Sequence, residues 1–214
     1  MDAGRFRDRA EAGRLLAEHL RAYEGRDDVI VLALPRGGVP VAYEVAKALR
    51  APLGVFVVRK LGVPGHEELA MGAIASGGVL LLDEGLVRSL GLGREELERT
   101  VAAELRELQR REEAYTGGRE PPELEGKTVI LVDDGLATGS TMRAAAFAVR
   151  RLNPARIVVA VPVASPETCE EFREVVDETV CVRTPRPFRA VGLWYDDFSQ
   201  TSDEEVRRLL ADAA

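Results

Sequence analysis

The chain has 214 residues, 46% of them apolar and 30% charged, which excludes fibrous, collagen-like and wholly disordered classes. No apolar run reaches the ~18 residues that a membrane-spanning helix needs. The 29 basic and 36 acidic side chains leave a formal charge of −7, so nucleic acid is not an expected partner, although a local cluster of donors could still hold a small phosphorylated ligand.

Residues 5–23 carry Phe6, Ala12, Leu15, Leu16 and Leu20 near helical spacing and predict a helix, broken at Gly25. The continuous apolar run at 29–34 predicts a strand buried on both faces. A turn at Pro35, Arg36, Gly37 and Gly38, a helix at 40–49 and a second buried strand at 53–58 complete a strand–helix–strand unit with a right-handed crossover. Residues 59–68 are polar, with Gly62, Pro64 and Gly65, and read as a long mobile loop. Two short strands are expected within 71–82, around Gly77 and Gly78. Residues 94–115 read as a long, mostly solvated helix of interleaved acids and bases. A connector at 116–126 with Pro121 and Pro122 leads to a third buried strand at 127–133 and a helix at 139–152. A strand at 157–163, a helix at 166–175 and a fifth strand at 178–182 follow. Residues 183–200 are irregular, and a helix capped by Ser202 or Asp203 spans 203–213.

Alternating strands and helices define an α/β fold, a mostly parallel sheet with helices on both faces. The length fits a single domain over 1–214, with a core at about 27–182. The first ten residues are charged and lack an apolar stretch, so no secretory signal is expected and the chain reads as cytoplasmic. Cys169 and Cys181 give neither a disulfide framework nor a zinc spacing, and read as small buried apolar residues.

The most informative stretch is Val129-Ile130-Leu131-Val132-Asp133-Asp134-Gly135-Leu136-Ala137-Thr138-Gly139-Ser140-Thr141. A buried strand ends in two acids, a short loop of small and hydroxyl residues follows, and a helix begins. Ligands of open α/β sheets bind beyond the carboxyl ends of strands. The N–H groups of a helix start, with the hydroxyls of Thr138, Ser140 and Thr141, suit a phosphate. Two acids beside them suit sugar hydroxyls or a magnesium ion. Together these features describe a cradle for ribose 5-phosphate. No Lys precedes Ser140, so this is not a P-loop, and the acids precede the glycines, unlike a dinucleotide turn.

This segment resembles the phosphoribosyl pyrophosphate (PRPP) motif of type I phosphoribosyltransferases, with Gly135 standing where most members carry an aliphatic residue. The resemblance implies the family's fold, with a small hood from 183–200 and 5–23 and a flexible catalytic loop at 59–68. It implies Asp133 and Asp134 as ribose- and metal-binding acids and Ala137, Thr138, Gly139, Ser140 and Thr141 as the 5-phosphate loop. Arg36, Gly37 and Gly38 fall at the family's pyrophosphate loop, and Arg59 and Lys60 at its Arg-Lys segment, with His66 as a candidate proton donor. In the hood, Asp196 falls on the family's metal- and pyrophosphate-binding acid, while Trp194 and Tyr195 form an aromatic rim for a base. The cofactor implied is magnesium, the partners are PRPP and a small nitrogenous base, and the assembly is a homodimer.

The 6-oxopurine branch carries an Asp general base where this chain has Ala137, and a Lys where it reads Val163-Ala164-Ser165-Pro166. Both departures weaken a hypoxanthine or guanine assignment. The expected activity is Mg-dependent phosphoribosyl transfer from PRPP with release of pyrophosphate. The alternative is a regulator of the same fold that senses PRPP or a nucleotide.

Overall fold

The computed structural model describes residues 4–119 and 121–213. The extreme ends of the expected 1–214 domain, the start of its charged N-terminal stretch and Glu120 of the connector lie outside them. In chain order the elements are α1 (Arg9–His19), β1 (Val29–Ala33), α2 (Gly38–Leu49), β2 (Leu53–Val55), β3 (Val58–Val63), β4 (His66–Ala75) and β5 (Val79–Leu82). There follow α3 (Glu84–Ser89), α4 (Arg94–Thr116), β6 (Thr128–Val132), α5 (Ser140–Arg150), β7 (Arg156–Val163), α6 (Pro166–Phe172), β8 (Glu178–Arg183) and α7 (Asp203–Asp212).

Five strands form a fully parallel sheet in the order β2-β1-β6-β7-β8. Every residue of β1 and β6 is buried, as a central parallel strand requires. Their alternation sorts the core into two layers. Val29, Val31, Ala33, Ile130, Val132 and Val158 meet Leu16 of α1, Val41 and Val45 of α2, and Val206 of α7. Ile30, Leu32, Val129, Leu131, Ile157 and Val159 meet Met142, Ala145 and Val149 of α5 and Phe172 of α6. Each such side chain contributes about 1.5–3 kcal/mol by leaving water.

Three sequence expectations need correction. Residues 59–68 are not a loop: β3 and β4 pair antiparallel from Val58 opposite Ala75 to Val63 opposite His66. Pro64 and Gly65 (φ 77°) make the hairpin turn, and Leu61 and Val63 are buried at the period of a strand while Lys60 is exposed. β5 extends this into a three-stranded antiparallel sheet. The first helix starts only at Arg9, capped by Asp8, whose carboxylate accepts the Glu11 N–H at 2.7 Å. Phe6 instead lies in extended backbone that bridges to Tyr195. Helix α4 is mostly solvated as expected, with Leu97, Val101, Leu105 and Leu108 forming the stripe that packs on the first core layer. Finally, Cys169 and Cys181 form a disulfide joining α6 to β8. Adjacent packing of α6 and its following strand brings together two residues that spacing alone leaves unpaired.

Candidate active site

The site lies beyond the carboxyl ends of β1, β6 and β7. The Leu34 N–H donates to the Val132 carbonyl at 2.9 Å, which sets the β1–α2 and β6–α5 loops side by side. Gly37 and Gly38 make that approach possible. A Cβ on Gly37 would collide with the Asp134 carboxylate, and one on Gly38 would lie 2.7 Å from the Val132 carbonyl. The preceding Pro35–Arg36 peptide bond is cis.

Each acid has one oxygen held by the protein. Asp133 Oδ1 accepts the Asp134 N–H at 2.8 Å. Asp134 Oδ2 accepts from Arg9 through both Nε and Nη2, each at 2.9 Å. No side chain among the described residues donates to Asp133 Oδ2 or Asp134 Oδ1. Burial pushes the Asp133 carboxyl well above the usual carboxylate range, and the neighbouring Asp134 charge pushes the same way. Burial also raises Asp134, and the Arg9 guanidinium opposes it. Beneath them the Tyr195 hydroxyl donates to the Asp134 carbonyl at 2.6 Å. Burial, then the Asp134 charge, raises that phenol far above its ordinary value.

The phosphate loop is braced from below. The Leu136 N–H donates to the Val163 carbonyl at 2.9 Å, Ser165 N–H to the Leu136 carbonyl at 3.1 Å, and Thr168 Oγ1 to the Ala137 carbonyl at 2.7 Å. Gly139 adopts φ 68° and rests against Thr168 and Phe172. A Cβ on Gly135 would lie 2.6 Å from Val191 and 3.0 Å from Val163, which explains why no aliphatic residue stands there. Gly139 supplies no side-chain cap to α5, so the first-turn N–H groups keep their donors. The side chains of Thr138, Ser140 and Thr141 are exposed beside them. Backbone, hydroxyls and the positive end of a helix thus converge in an arrangement whose chemistry suits an anion.

Gly37, Gly38, Asp133, Asp134 and the Ala137–Thr141 loop thus form one neighbourhood, but several other candidates are engaged elsewhere. Arg36 pairs with Asp203 at the start of α7, 3.3 Å away. Arg59 donates to Glu104 of α4 at 2.8 Å. Strand alternation sends the exposed Lys60 to the opposite face from Arg59, so the two cations do not converge as a loop would allow. His66 is exposed at the first residue of β4. Trp194 is half-buried among Phe6, Ala12, Val163 and Tyr195, and its carbonyl accepts the Phe6 N–H at 2.8 Å. The hood aromatics therefore pack largely on the N-terminal segment, with Phe198 stacked 5.1 Å from Tyr195 and partly open to solvent. Asp196 is exposed in the same hood, and its N–H donates to the Phe6 carbonyl at 2.8 Å.

Sequence reasoning missed Arg9, which no local pattern distinguishes from its charged neighbours. It also missed Ser165 and Thr168, although Ser165 before Pro166 is a readable helix cap. No group of three metal-ligating side chains occurs among the described residues. Magnesium needs only one or two carboxylates when ligand phosphates supply the rest, so the two acids, adjacent and half-buried with an oxygen each to spare, fit it.

A parallel α/β core with this acid-then-phosphate loop defines a phosphoribosyltransferase-like protein. Residues 7–196 match the family model described as phosphoribosyl transferase domain, and the chain belongs to that family. The Mycobacterium tuberculosis protein named "Putative phosphoribosyl transferase Rv0571c" is 48% identical over 201 residues, covering 94% of this chain and 45% of that protein. This chain therefore spans about half the length of the curated relatives it matches. The crystal structure of TT1426 from Thermus thermophilus superposes with a TM-score of 0.85 at 45% identity, covering 98% of this chain and 99% of that one. AQ2163 from Aquifex aeolicus shares the fold at 14% identity, with a TM-score of 0.51 over 86% of this chain and 78% of its own. No helix among the described residues is long and apolar enough to cross a membrane.

Proposed function

We propose that this chain transfers a 5-phosphoribosyl group from PRPP to a nitrogen of a small planar base and releases pyrophosphate. One observation carries the reading: two adjacent acids, each with one oxygen tied and one left for a ligand, stand beside an uncapped helix start ringed by hydroxyls. The free oxygens accept the ribose 2- and 3-hydroxyls, and the Ala137–Thr141 loop takes the 5-phosphate. Binding energy gathered at the phosphate positions the reacting carbon. As the bond from C1 to the diphosphate breaks, positive charge develops on the ribose ring, and the acids stabilise it electrostatically. The N–H group at Gly37 faces the departing diphosphate, with Arg36 released from Asp203 to join it and Lys60 and His66 approaching from the hairpin, whereas the Gly38 N–H is taken by the Leu34 carbonyl at 3.1 Å and that glycine serves the close approach to Val132. Magnesium, when bound with PRPP by Asp133 and Asp134, and by Asp196 if the hood closes, neutralises diphosphate charge. The base enters under the hood, near Phe198 and Trp194. Ala137 offers no carboxylate to a 6-oxopurine, which points the acceptor elsewhere. A homodimer in the cytoplasm is part of the same reading, and the negative net charge argues against nucleic acid.

The test is pyrophosphate release from PRPP and magnesium with adenine, guanine, hypoxanthine, xanthine, uracil, orotate and nicotinate supplied as a pool. Release that requires the pool establishes the transferase, and dividing the pool names the acceptor. PRPP binding without release from any base would favour the regulatory alternative.

A further inference from the structure

Arg9 lies in the N-terminal part of the hood and has no role in the functional reading, yet it reaches the centre of the site. All three nitrogens of its guanidinium are engaged. Nε and Nη2 donate to one oxygen of Asp134, and Nη1 donates to the Ser199 carbonyl at 2.7 Å, across 190 positions of sequence. The same group lies 4.1 Å over the Phe198 ring. The side chains of Arg9 and Asp134 are only 11% and 15% exposed, so water competes weakly for the pair. The backbone of Asp134 is held from below, its carbonyl accepting the Tyr195 hydroxyl, and its carboxylate is walled by Gly37. With its backbone held and Oδ2 tied to Arg9, the carboxylate keeps Oδ1 free of side-chain donors.

Resting on the reading above, we propose that Arg9 is a positioning residue that sets sugar specificity. It anchors Asp134 to the hood, so that the second acid keeps Oδ1 for the ligand while Asp133, with Oδ1 tied to the Asp134 N–H, offers Oδ2, one acceptor for each hydroxyl of a vicinal diol. Arg9 does not touch the sugar. Its fork is what a lysine cannot reproduce, because a single ammonium cannot hold Asp134 and Ser199 together while stacking on Phe198. A site oriented in this way accepts ribose and rejects its 2-deoxy analogue, which leaves a buried acceptor unmatched.

The probes are ribose 5-phosphate and 2-deoxyribose 5-phosphate, titrated by calorimetry into the wild-type protein, Arg9→Met and Arg9→Lys. Amide hydrogen exchange is measured on all three proteins. The wild type is expected to prefer ribose 5-phosphate by roughly tenfold, the worth of one hydrogen bond to a charged acceptor. Arg9→Met is expected to bring the two sugars within about twofold while both still bind through the phosphate loop, and Arg9→Lys to fall between. Exchange should quicken across residues 195–200 and stay unchanged in β7. If exchange in β7 rises as well, Arg9→Met has lost its fold and Arg9→Lys becomes the deciding variant. A wild-type sugar ratio in the deciding variant overturns the role of Arg9 and leaves the transferase reading intact. Failure of the wild type to bind either sugar phosphate overturns the transferase reading, and this inference with it.

Discussion

The β6–α5 loop and the hood meet at Asp134 but are built in opposite ways. The loop is one run of residues from Asp133 to Thr141, held by backbone bonds to the next strand and by a helix start. The hood is assembled from two chain ends: Phe6 bridges Tyr195, and Arg9 bonds Ser199. A phosphate site made of backbone needs few particular side chains. A hood made of side chains from distant segments can change its ligand while the loop stays constant. On the proposed function, the loop would carry the phosphate chemistry and the hood would be where acceptor choice varies.

The sharpest way to break this comparison separates the two acids. Asp134→Ala removes the partner of a buried arginine, and stability should fall by about 3–5 kcal/mol, read from the urea midpoint at neutral pH. Asp133→Asn should do the reverse to stability while lowering turnover by roughly 10²–10³. The sign follows from its ionisation. Folding raises the Asp133 carboxyl above its ordinary value of 3.8, so the folded state holds the proton more tightly than the unfolded chain. Its contribution is fully present below that value and is lost as pH rises through the raised one. The variant should match the wild type near pH 4 and exceed it in melting temperature at higher pH. Curves that coincide at all pH values would show that Asp133 is not strained by burial.

A smaller effect is expected in the loop. Gly139→Ala places a Cβ at φ 68°, 2.6 Å from the Phe172 ring. The left-handed backbone costs about 1–2 kcal/mol, and crowding against Phe172 adds at least about 1 kcal/mol. Thermal unfolding reads this directly, and an unchanged melting temperature would mean that α6 gives way freely. Smallest of all, Thr138→Ala should weaken PRPP binding by about 1.5 kcal/mol, the low end for a hydrogen bond to a charged group, with stability unaffected because the side chain is exposed. Unchanged affinity would remove Thr138 from the cradle and leave the backbone to hold the phosphate alone.

Legibility followed locality. The three central strands β1, β6 and β7 announced themselves as short apolar runs because a strand buried on both faces has no polar side to confuse the pattern, whereas β2 covers only Leu53–Val55 of the expected 53–58 and β8 is half-buried throughout. The acid-and-hydroxyl loop was readable because its function is encoded in consecutive residues. The segment from Arg59 to His66 misled for a related reason: Pro64 and Gly65 look alike whether they punctuate a loop or close a hairpin, and the partner strand β4 lies beyond the window. Phe6 fitted a helical spacing, yet its apolar demand is met by Tyr195 at the other end of the chain.

From the order of its residues alone, then, this protein fixes its α/β core, the two acids and the phosphate loop, since periodicity and turn chemistry act between near neighbours. Only the tertiary structure decides that Arg9 orients Asp134, that Arg36 rests on Asp203, that Arg59 is drawn away to Glu104, and that Cys169 joins Cys181. Each of these pairings is set by where packing brings two elements into contact. Charged and sulfur-bearing side chains find whichever partner the apolar core has placed beside them, and nothing in their local sequence names it.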